Sequence, residues 1–239
     1  MNNNNNAPGT LYGLGVGPGD PELLTLKALR ILRAVTVLAY PAPSEGDSLA
    51  RAIAAPHLPD GQIEIAIRMP LDAKQFPAED VYGPAAREIA EHLQAGRDVA
   101  ALCEGDPFFY GSFMYLFERL AGEHKIEVVP GVSSPMACAA ALATPLAARN
   151  DVLSVLPAPL DEDSLTARLE VCDAAAIVKV GRHIAKVRRI LQNLDLETRA
   201  RYIERASLPA ERILPLSQAP DPAPYFSMVL VRCGEDFSC

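Results

Sequence analysis

The sequence lacks three patterns, each of which would define a class of protein. Its five cysteines, an odd number, include no C-x-x-C pair, so they predict neither a disulfide framework nor a zinc site. No apolar run approaches the roughly 20 residues of a membrane span. The N-terminus also has no charged region followed by a hydrophobic stretch. These absences predict a cytoplasmic protein that binds no metal and no membrane.

Positive charge is also in deficit, because 22 Lys and Arg residues face 30 Asp and Glu residues, for a formal net charge of −8. This balance opposes a general nucleic-acid binder, which would carry a basic face. One segment, residues 179–189, is nevertheless strongly basic. It allows two interpretations, a site for an anionic small ligand and a solvated helix face.

The 239 residues are 49% hydrophobic, and short β-rich runs alternate with helical patterns, which favours an α/β fold. We predict a disordered leader over residues 1–9, an N-terminal α/β domain over 10–122 and a C-terminal α/β domain over 123–239. Strands are predicted near 11–16, 35–39, 63–67, 99–103, 126–129, 152–156, 175–180, 200–204 and 226–232. Helices are predicted near 21–33, 48–55, 80–95 and 111–120, and from about residues 134, 162 and 182.

A stiff, glycine-rich loop at residues 15–21 (GVGPGDP) follows the first predicted strand. Its glycines remove Cβ atoms that would block a ligand, and its prolines fix φ. Asp20 is predicted to cap a helix that has Pro21 at its first position. The dinucleotide fingerprint fails, because Pro18 or Asp20 stands where the third glycine belongs. A plain structural turn stays open as an alternative.

Two more loops follow predicted strands, at residues 104–111 (EGDPFFYG) and 130–135 (PGVSSP). The carboxyl ends of strands are where open α/β sheets place their ligands. Ser134 is predicted to cap the helix that follows the third loop, with Pro135 at its first position.

These three loops, in this order and spacing, resemble the tetrapyrrole methylase family, which uses S-adenosylmethionine. The likeness runs from about Leu11 to Arg232, and residues 105–113 (GDPFFYGSF) and 178–182 (VKVGR) are its more selective segments. It implies two tandem α/β domains with the active site in the cleft between them, and a homodimer. The selective segments resemble members that methylate a bridging carbon of a reduced tetrapyrrole.

The resemblance also implies which residues form the site. Most cofactor contacts are expected through main-chain atoms. Val180 stands where many relatives have methionine, and Ala206 where several have glycine. The cofactor-binding residues carried over are Pro18, Glu104, Gly105, Asp106, Phe109, Ser133, Ser134, Val180 and Ala206.

Two polar residues are candidates for a catalytic role beside the macrocycle. Asp106 is expected to hydrogen-bond pyrrole N–H groups or to stabilise positive charge on the ring, unless it only caps local amides. Lys179 is expected inside an apolar strand whose end reaches the cleft, unless it is a solvent-facing charge on an edge strand.

Substrate binding is assigned to aromatic and cationic side chains. Tyr110 and Tyr225 are expected to line the macrocycle, with packing into the core as the alternative. The acetate and propionate groups of the substrate need cations, and Arg149, Lys179, Arg182 and His183 are the candidates.

Three other functions stay open. A sibling enzyme would methylate another ring carbon or a cobalt-containing precursor. A ribosomal-RNA methyltransferase is opposed by the acidic balance. A non-catalytic regulator would bind the cofactor without turnover.

Overall fold

The computed structural model describes residues 7–69 and 79–234. The chain divides into two compact units, Met1–Ser133 and Ser134–Cys239. This division lies further along the chain than the boundary expected after residue 122. The reason is that the strand Lys125–Val129 pairs with the first strand of the chain, so it belongs to the first unit.

The first unit is a five-stranded sheet covered by helices. Its strands are β1 (Thr10–Gly15), β2 (Val37–Pro43), β3 (Ile63–Met69), β4 (Val99–Cys103) and β5 (Lys125–Val129). All five run parallel, in the order β3-β2-β4-β1-β5. The helices are α1 (Leu26–Ala34), α2 (Leu49–Ala54), α3 (Glu79–Gln94) and α4 (Phe113–Leu120).

Parallel strands need crossover helices, which cover both faces of this sheet. The side chains of β4 therefore alternate between two cores although all five are buried. Val99 and Cys103 pack with α3 and α4, whereas Ala100 and Leu102 pack with α1 and α2. The sheet thus presents its loops, and not its faces, to ligands.

The second unit is built on a mixed five-stranded sheet. Its strands are β6 (Leu153–Pro157), β7 (Ala174–Val178), β8 (Ala200–Glu204), β9 (Arg212–Leu214) and β10 (Ser227–Arg232). They lie in the order β6-β7-β10-β8-β9, with β6 and β7 parallel and the other neighbouring pairs antiparallel. Its helices are α5 (Ser134–Ala141), α6 (Glu162–Leu169) and α7 (Ile184–Asn193). The core on one face includes residues of α6 and α7, and the core on the other includes Cys138 of α5.

The predicted α/β class is confirmed, and the structure corrects several local predictions. Asp20 caps a short 3-10 helix (Pro21–Leu23), and α1 begins only at Leu26, where the Thr25 hydroxyl accepts from the Ala28 amide at 3.1 Å. The helix expected from residue 182 also begins as a 3-10 turn, before α7.

The leader predicted over residues 1–9 lies mostly outside the described residues, except at its end. Gly9 is buried, and its amide donates to the Leu93 carbonyl at 2.8 Å. A Cβ atom at Gly9 would lie 2.1 Å from the Arg97 carbonyl oxygen. Residue 9 therefore belongs to the packed structure and not to a leader.

Candidate active site

The three loops predicted from the sequence follow three neighbouring strands, β4, β1 and β5. Because these strands are parallel, the loops that follow them emerge at the same edge of the sheet. Gly17 of the first loop and Gly105 of the second form a two-residue bridge, with N–O distances of 3.3 and 2.8 Å. The main chains of these two loops are thus joined directly to each other.

The third loop joins the same junction through glycine. A Cβ atom at Gly131 would lie 2.1 Å from the Gly105 carbonyl oxygen, and one at Gly15 would lie 2.5 Å from the Gly131 nitrogen. Real Cβ atoms do not approach backbone so closely, so no other residue fits at either position without moving the main chain. The three loops therefore form one compact junction.

Asp106 fastens this junction. Its Oδ1 accepts from the Phe108 amide at 2.9 Å, within the second loop. Its Oδ2 accepts from the Gly131 amide at 3.1 Å, in the third loop. Capping of amides, which the sequence left open as an alternative, is therefore what the structure describes. A carboxylate accepts about four hydrogen bonds, so the expected catalytic role of Asp106 stays a prediction.

Glu104 directly follows β4 and is half-buried. Removal of its carboxyl group from water raises the pKa of this side chain above its ordinary value. Gly105, next to it, is buried. The second loop thus begins with a partly buried acidic group at the carboxyl end of the central strands.

Aromatic residues close the second loop. The rings of Phe109 and Tyr110 stand edge to face, with centroids 5.1 Å apart. Tyr110 is 48% exposed, so it is not packed into the core, and its φ of 56° is left-handed. Such a conformation is uncommon for a bulky residue and occurs more often at ligand sites.

Pro18, Ser133 and Ser134 complete the cofactor residues expected from the loops. Pro18 and Ser133 are half-buried and belong to the first unit. Ser134 is exposed, begins α5 as its first residue, and belongs to the second unit. Their contacts with a cofactor stay predictions.

Lys179 does not lie inside a strand, contrary to expectation. Strand β7 ends at Val178, and Lys179 follows it, exposed, with a left-handed φ of 56°. The alternative of an edge-strand charge is wrong too, because β7 lies between β6 and β10. The backbone turns sharply here so that Val180 returns to the core, fully buried, while Arg182 is exposed.

The remaining predicted residues also belong to the second unit. Arg149 is exposed with a left-handed φ of 47°, and Tyr225 is 80% exposed with its ring 4.9 Å from that of Phe226. Ala206 is buried, so a cofactor contact there would use its main chain. His183 lies next to Arg182, and partial burial, Lys186 and Arg182 together lower the pKa of its ring.

Sequence reasoning missed the buried carboxylate of Glu204, at the end of β8, and the strained turn that follows it. Glu204 is wholly buried, and Arg205 and Ser207 adopt left-handed φ angles of 50° and 65° on either side of Ala206. A signal was present, since a glutamate follows the apolar pair Tyr202 and Ile203 in a predicted strand.

Comparison with known proteins identifies the family. Residues 10–220 match the model of the tetrapyrrole (corrin/porphyrin) methylases. The chain belongs to this family. It is 46% identical over 95% of its length to the cobalamin biosynthesis protein CobIJ of Mycobacterium tuberculosis, of which it covers 47%. The chain thus spans about half the length of these first curated relatives.

Two other relatives are matched over nearly their whole length. The precorrin-2 C(20)-methyltransferase of a Sinorhizobium species is 41% identical over 95% of this chain and 97% of its own. The cobalt-precorrin-2 C(20)-methyltransferase of Salmonella typhimurium is 32% identical over 94% of this chain and 96% of its own.

Solved structures share the fold. A cobalt precorrin-4 methyltransferase, CbiF, has a TM-score of 0.72 at 23% identity, covering 95% of this chain and 96% of its own. The uroporphyrin III C-methyltransferase of Thermus thermophilus has a TM-score of 0.68 at 26% identity, covering 94% and 97%. Another crystal of the Thermus enzyme contains S-adenosyl homocysteine, and this structure has a TM-score of 0.67 at 23% identity. These similarities confirm the two-domain tetrapyrrole methylase fold.

Proposed function

We propose that this chain is an S-adenosylmethionine-dependent methyltransferase that adds a methyl group to C20 of precorrin-2 and so gives precorrin-3A. The observation that carries the proposal is the 41% identity with the Sinorhizobium enzyme over nearly the whole of both chains. The joined loops at the carboxyl edge of the first sheet support it, because they offer a rigid site of the kind that a methyl donor needs.

The charges of the three loops fit a cationic donor. They contain the acids Asp20, Glu104 and Asp106 and no Lys, Arg or His. A phosphate-bearing cofactor would be repelled by this set, whereas a sulfonium and an ammonium group are attracted to it. Main-chain groups around Pro18, Gly105 and Ser133 would hold the rest of the donor. The family resemblance assigns Ser134, Val180 and Ala206 to donor contacts as well.

S-adenosylmethionine supplies an electrophilic methyl group on a positively charged sulfur. The chain would position the methyl group against the acceptor carbon, since holding the two in near-attack geometry provides much of the acceleration in such reactions. Asp106 would orient the macrocycle by accepting from pyrrole N–H groups with its remaining lone pairs. Lys179, exposed after β7, would bind a carboxylate of the substrate and stand near its ring.

Cations of the second unit would recognise the acetate and propionate groups of the macrocycle. Arg149, Lys179 and Arg182 are all exposed, so their charged groups face solvent. Tyr110 and Tyr225 offer exposed aromatic faces for the macrocycle.

A second candidate substrate is the cobalt-containing form of precorrin-2. The Salmonella relative is named for it, at 32% identity. The metal-free substrate is preferred because the relative named for it is 41% identical. A non-catalytic regulator would bind the donor without turnover.

One experiment tests these alternatives. The purified chain is incubated with S-adenosylmethionine and either precorrin-2 or cobalt-precorrin-2, and the products are analysed by mass spectrometry and NMR. One methyl group at C20 of the metal-free substrate is the expected result. Methylation at another carbon, faster turnover of the cobalt form, or no transfer would each overturn the proposal.

We also propose, on family likeness alone, that the chain acts as a homodimer in the cytoplasm. Light scattering coupled to gel filtration should give twice the 25.6 kDa chain mass. A monomer mass at micromolar concentration would contradict the dimer. Among the described residues, no helix combines the length and apolar character needed to cross a bilayer.

A further inference from the structure

A charged side chain lies wholly inside the second unit without full compensation. Glu204, the last residue of β8, has no exposed surface. The Tyr202 hydroxyl donates to its Oε1 at 2.9 Å. Within the part of the chain that the structure describes, no hydrogen bond reaches its Oε2. Burying a carboxylate is costly unless it is paired and hydrogen-bonded, so stability alone does not account for Glu204.

Two guanidinium groups approach Oε2 of Glu204 from opposite ends of one turn. Nη1 of Arg205, where the turn leaves β8, lies 3.6 Å from Oε2. Nη1 of Arg212, where β9 begins, lies 3.7 Å from the same oxygen. One buried carboxylate therefore holds both ends of the turn electrostatically.

The turn that Glu204 holds is strained. Arg205 and Ser207 are both left-handed, which costs a non-glycine residue on the order of 1–3 kcal/mol and persists only where the surroundings impose it. The Arg205 amide donates to the Phe226 carbonyl at 2.7 Å, and the Ser207 amide to Oε2 of Glu211 at 2.7 Å. The residue between them is Ala206, whose side chain packs into the core. The main chain at Ala206 is thus held in one conformation from both sides.

The geometry points to Glu204 as a positioning residue for the methyl-donor site. It holds the turn of residues 205–211 in the strained conformation that presents the main chain of Ala206 to the donor. This inference rests on the proposed function, which assigns Ala206 to donor binding. Glu204 itself touches no reacting atom. Its loss lowers the fraction of molecules with a competent turn, and apparent donor affinity falls by that fraction.

The test compares Glu204→Gln with the wild type and with a control variant. Glutamine keeps the size and an oxygen that accepts from Tyr202, and it removes the charge between Arg205 and Arg212. The control is Glu162→Gln, which removes the exposed partner of Arg189 in the same unit. Calorimetric titration measures the affinity for S-adenosyl homocysteine, and steady-state kinetics measure KM for donor and tetrapyrrole separately.

We expect Glu204→Gln to bind S-adenosyl homocysteine about tenfold more weakly, which corresponds to about 1.4 kcal/mol. The donor KM should rise by the same factor. The tetrapyrrole KM and kcat should change by less than about twofold. Glu162→Gln should match the wild type. A purely structural role would lower melting temperature and active fraction without splitting the two KM values.

A second variant guards against misfolding. Glu211 is exposed, so Glu211→Ala removes the acceptor of the Ser207 amide without emptying the core. It should weaken S-adenosyl homocysteine binding in the same direction. If the wild type binds this ligand and both variants bind it equally well, the role of Glu204 is wrong although the methyltransferase proposal stands. If the wild type does not bind it, both proposals fail.

Discussion

The two units place ligand-binding groups in opposite ways. In the first unit, a parallel sheet brings three loops together, and main-chain bonds such as Gly17 to Gly105 join them. In the second unit, a mixed sheet carries exposed cations and strained turns, such as those at Lys179 and Ser207. In the proposed function, the first unit contributes mainly main-chain groups, and the second contributes exposed side chains as well as the main chain of Ala206. A backbone site tolerates changes of side chain but not an added Cβ atom.

The largest effect is expected from adding one carbon to the first unit. Gly131→Ala places a Cβ atom 2.1 Å from the Gly105 carbonyl oxygen, so the main chain must move and the junction opens. We expect affinity for S-adenosyl homocysteine to fall at least about 100-fold, or about 2.7 kcal/mol. The free energy of unfolding should fall by about 1–3 kcal/mol. Calorimetric titration and urea unfolding measure both quantities.

Gly122→Ala is the matched control. No atom lies within 4 Å of a Cβ atom built at Gly122. Its binding should equal that of the wild type, and its stability should differ by less than about 0.5 kcal/mol. Equal binding by Gly131→Ala and Gly122→Ala would show that the junction is not the donor site.

Asp106→Asn sharpens the comparison by changing only the side chain that fastens the loops. One carboxamide oxygen still accepts, but the amide group faces either the Phe108 or the Gly131 N–H as a second donor. A hydrogen bond to a charged group contributes about 1.5–3 kcal/mol. We therefore expect affinity for S-adenosyl homocysteine to fall about tenfold in a titration. The tetrapyrrole KM should rise as well, because Asp106 is also proposed to orient the macrocycle. A rise confined to that KM would show that the loop contacts of Asp106 do not support donor binding.

Substitutions of exposed cations test the second unit. Lys179→Ala and Arg182→Ala should each weaken precorrin-2 binding about tenfold, because a hydrogen bond to a charged group contributes about 1.5–3 kcal/mol. Binding of S-adenosyl homocysteine should change by less than about twofold. Arg168→Ala, an exposed cation on α6, serves as the control. Equal losses of affinity for both ligands would show that these cations do not act on the substrate alone.

The smallest expected effect concerns Glu104 and depends on pH. Burial raises the pKa of Glu104 in the folded chain above the ordinary 4.5. The protonated form therefore favours folding, and this contribution is lost as pH rises through the folded pKa. Glu104→Gln should then be more stable than the wild type at neutral pH. In urea unfolding, the difference in the free energy of unfolding between the variant and the wild type should vanish as pH falls below the ordinary glutamate pKa. A difference that does not depend on pH would refute the raised pKa of Glu104.

Much of the fold could be predicted from the sequence, because local patterns were strong. Strands β4 and β8 occur at their predicted bounds, since each is a run of largely apolar residues. Strand β9 was missed because two of its three residues are exposed at the edge of the sheet, so it has no apolar pattern. Lys179 was misplaced because its apolar neighbours, Val178 and Val180, conceal a sharp change of backbone direction.

The candidate site was predictable in its loops but not in its internal contacts. The glycines and acids of the three loops were evident from their positions after apolar runs. The role of Asp106 as a fastener between loops was not, because its partner Gly131 is 25 residues away. Glu204 was missed because its burial depends on pairing with β10, where Ser227 lies opposite it.

By itself, the sequence determined the order of elements, the composition of the three loops and their resemblance to one family. These are local properties, set by backbone preferences and side-chain periodicity over a few residues. Only the tertiary structure decided that β1 lies between β4 and β5, and therefore that their three loops meet. Strand pairing joins residues such as Leu11 and Val99, which are far apart in the chain. Such a choice depends on the energy of the whole sheet, which no local pattern encodes.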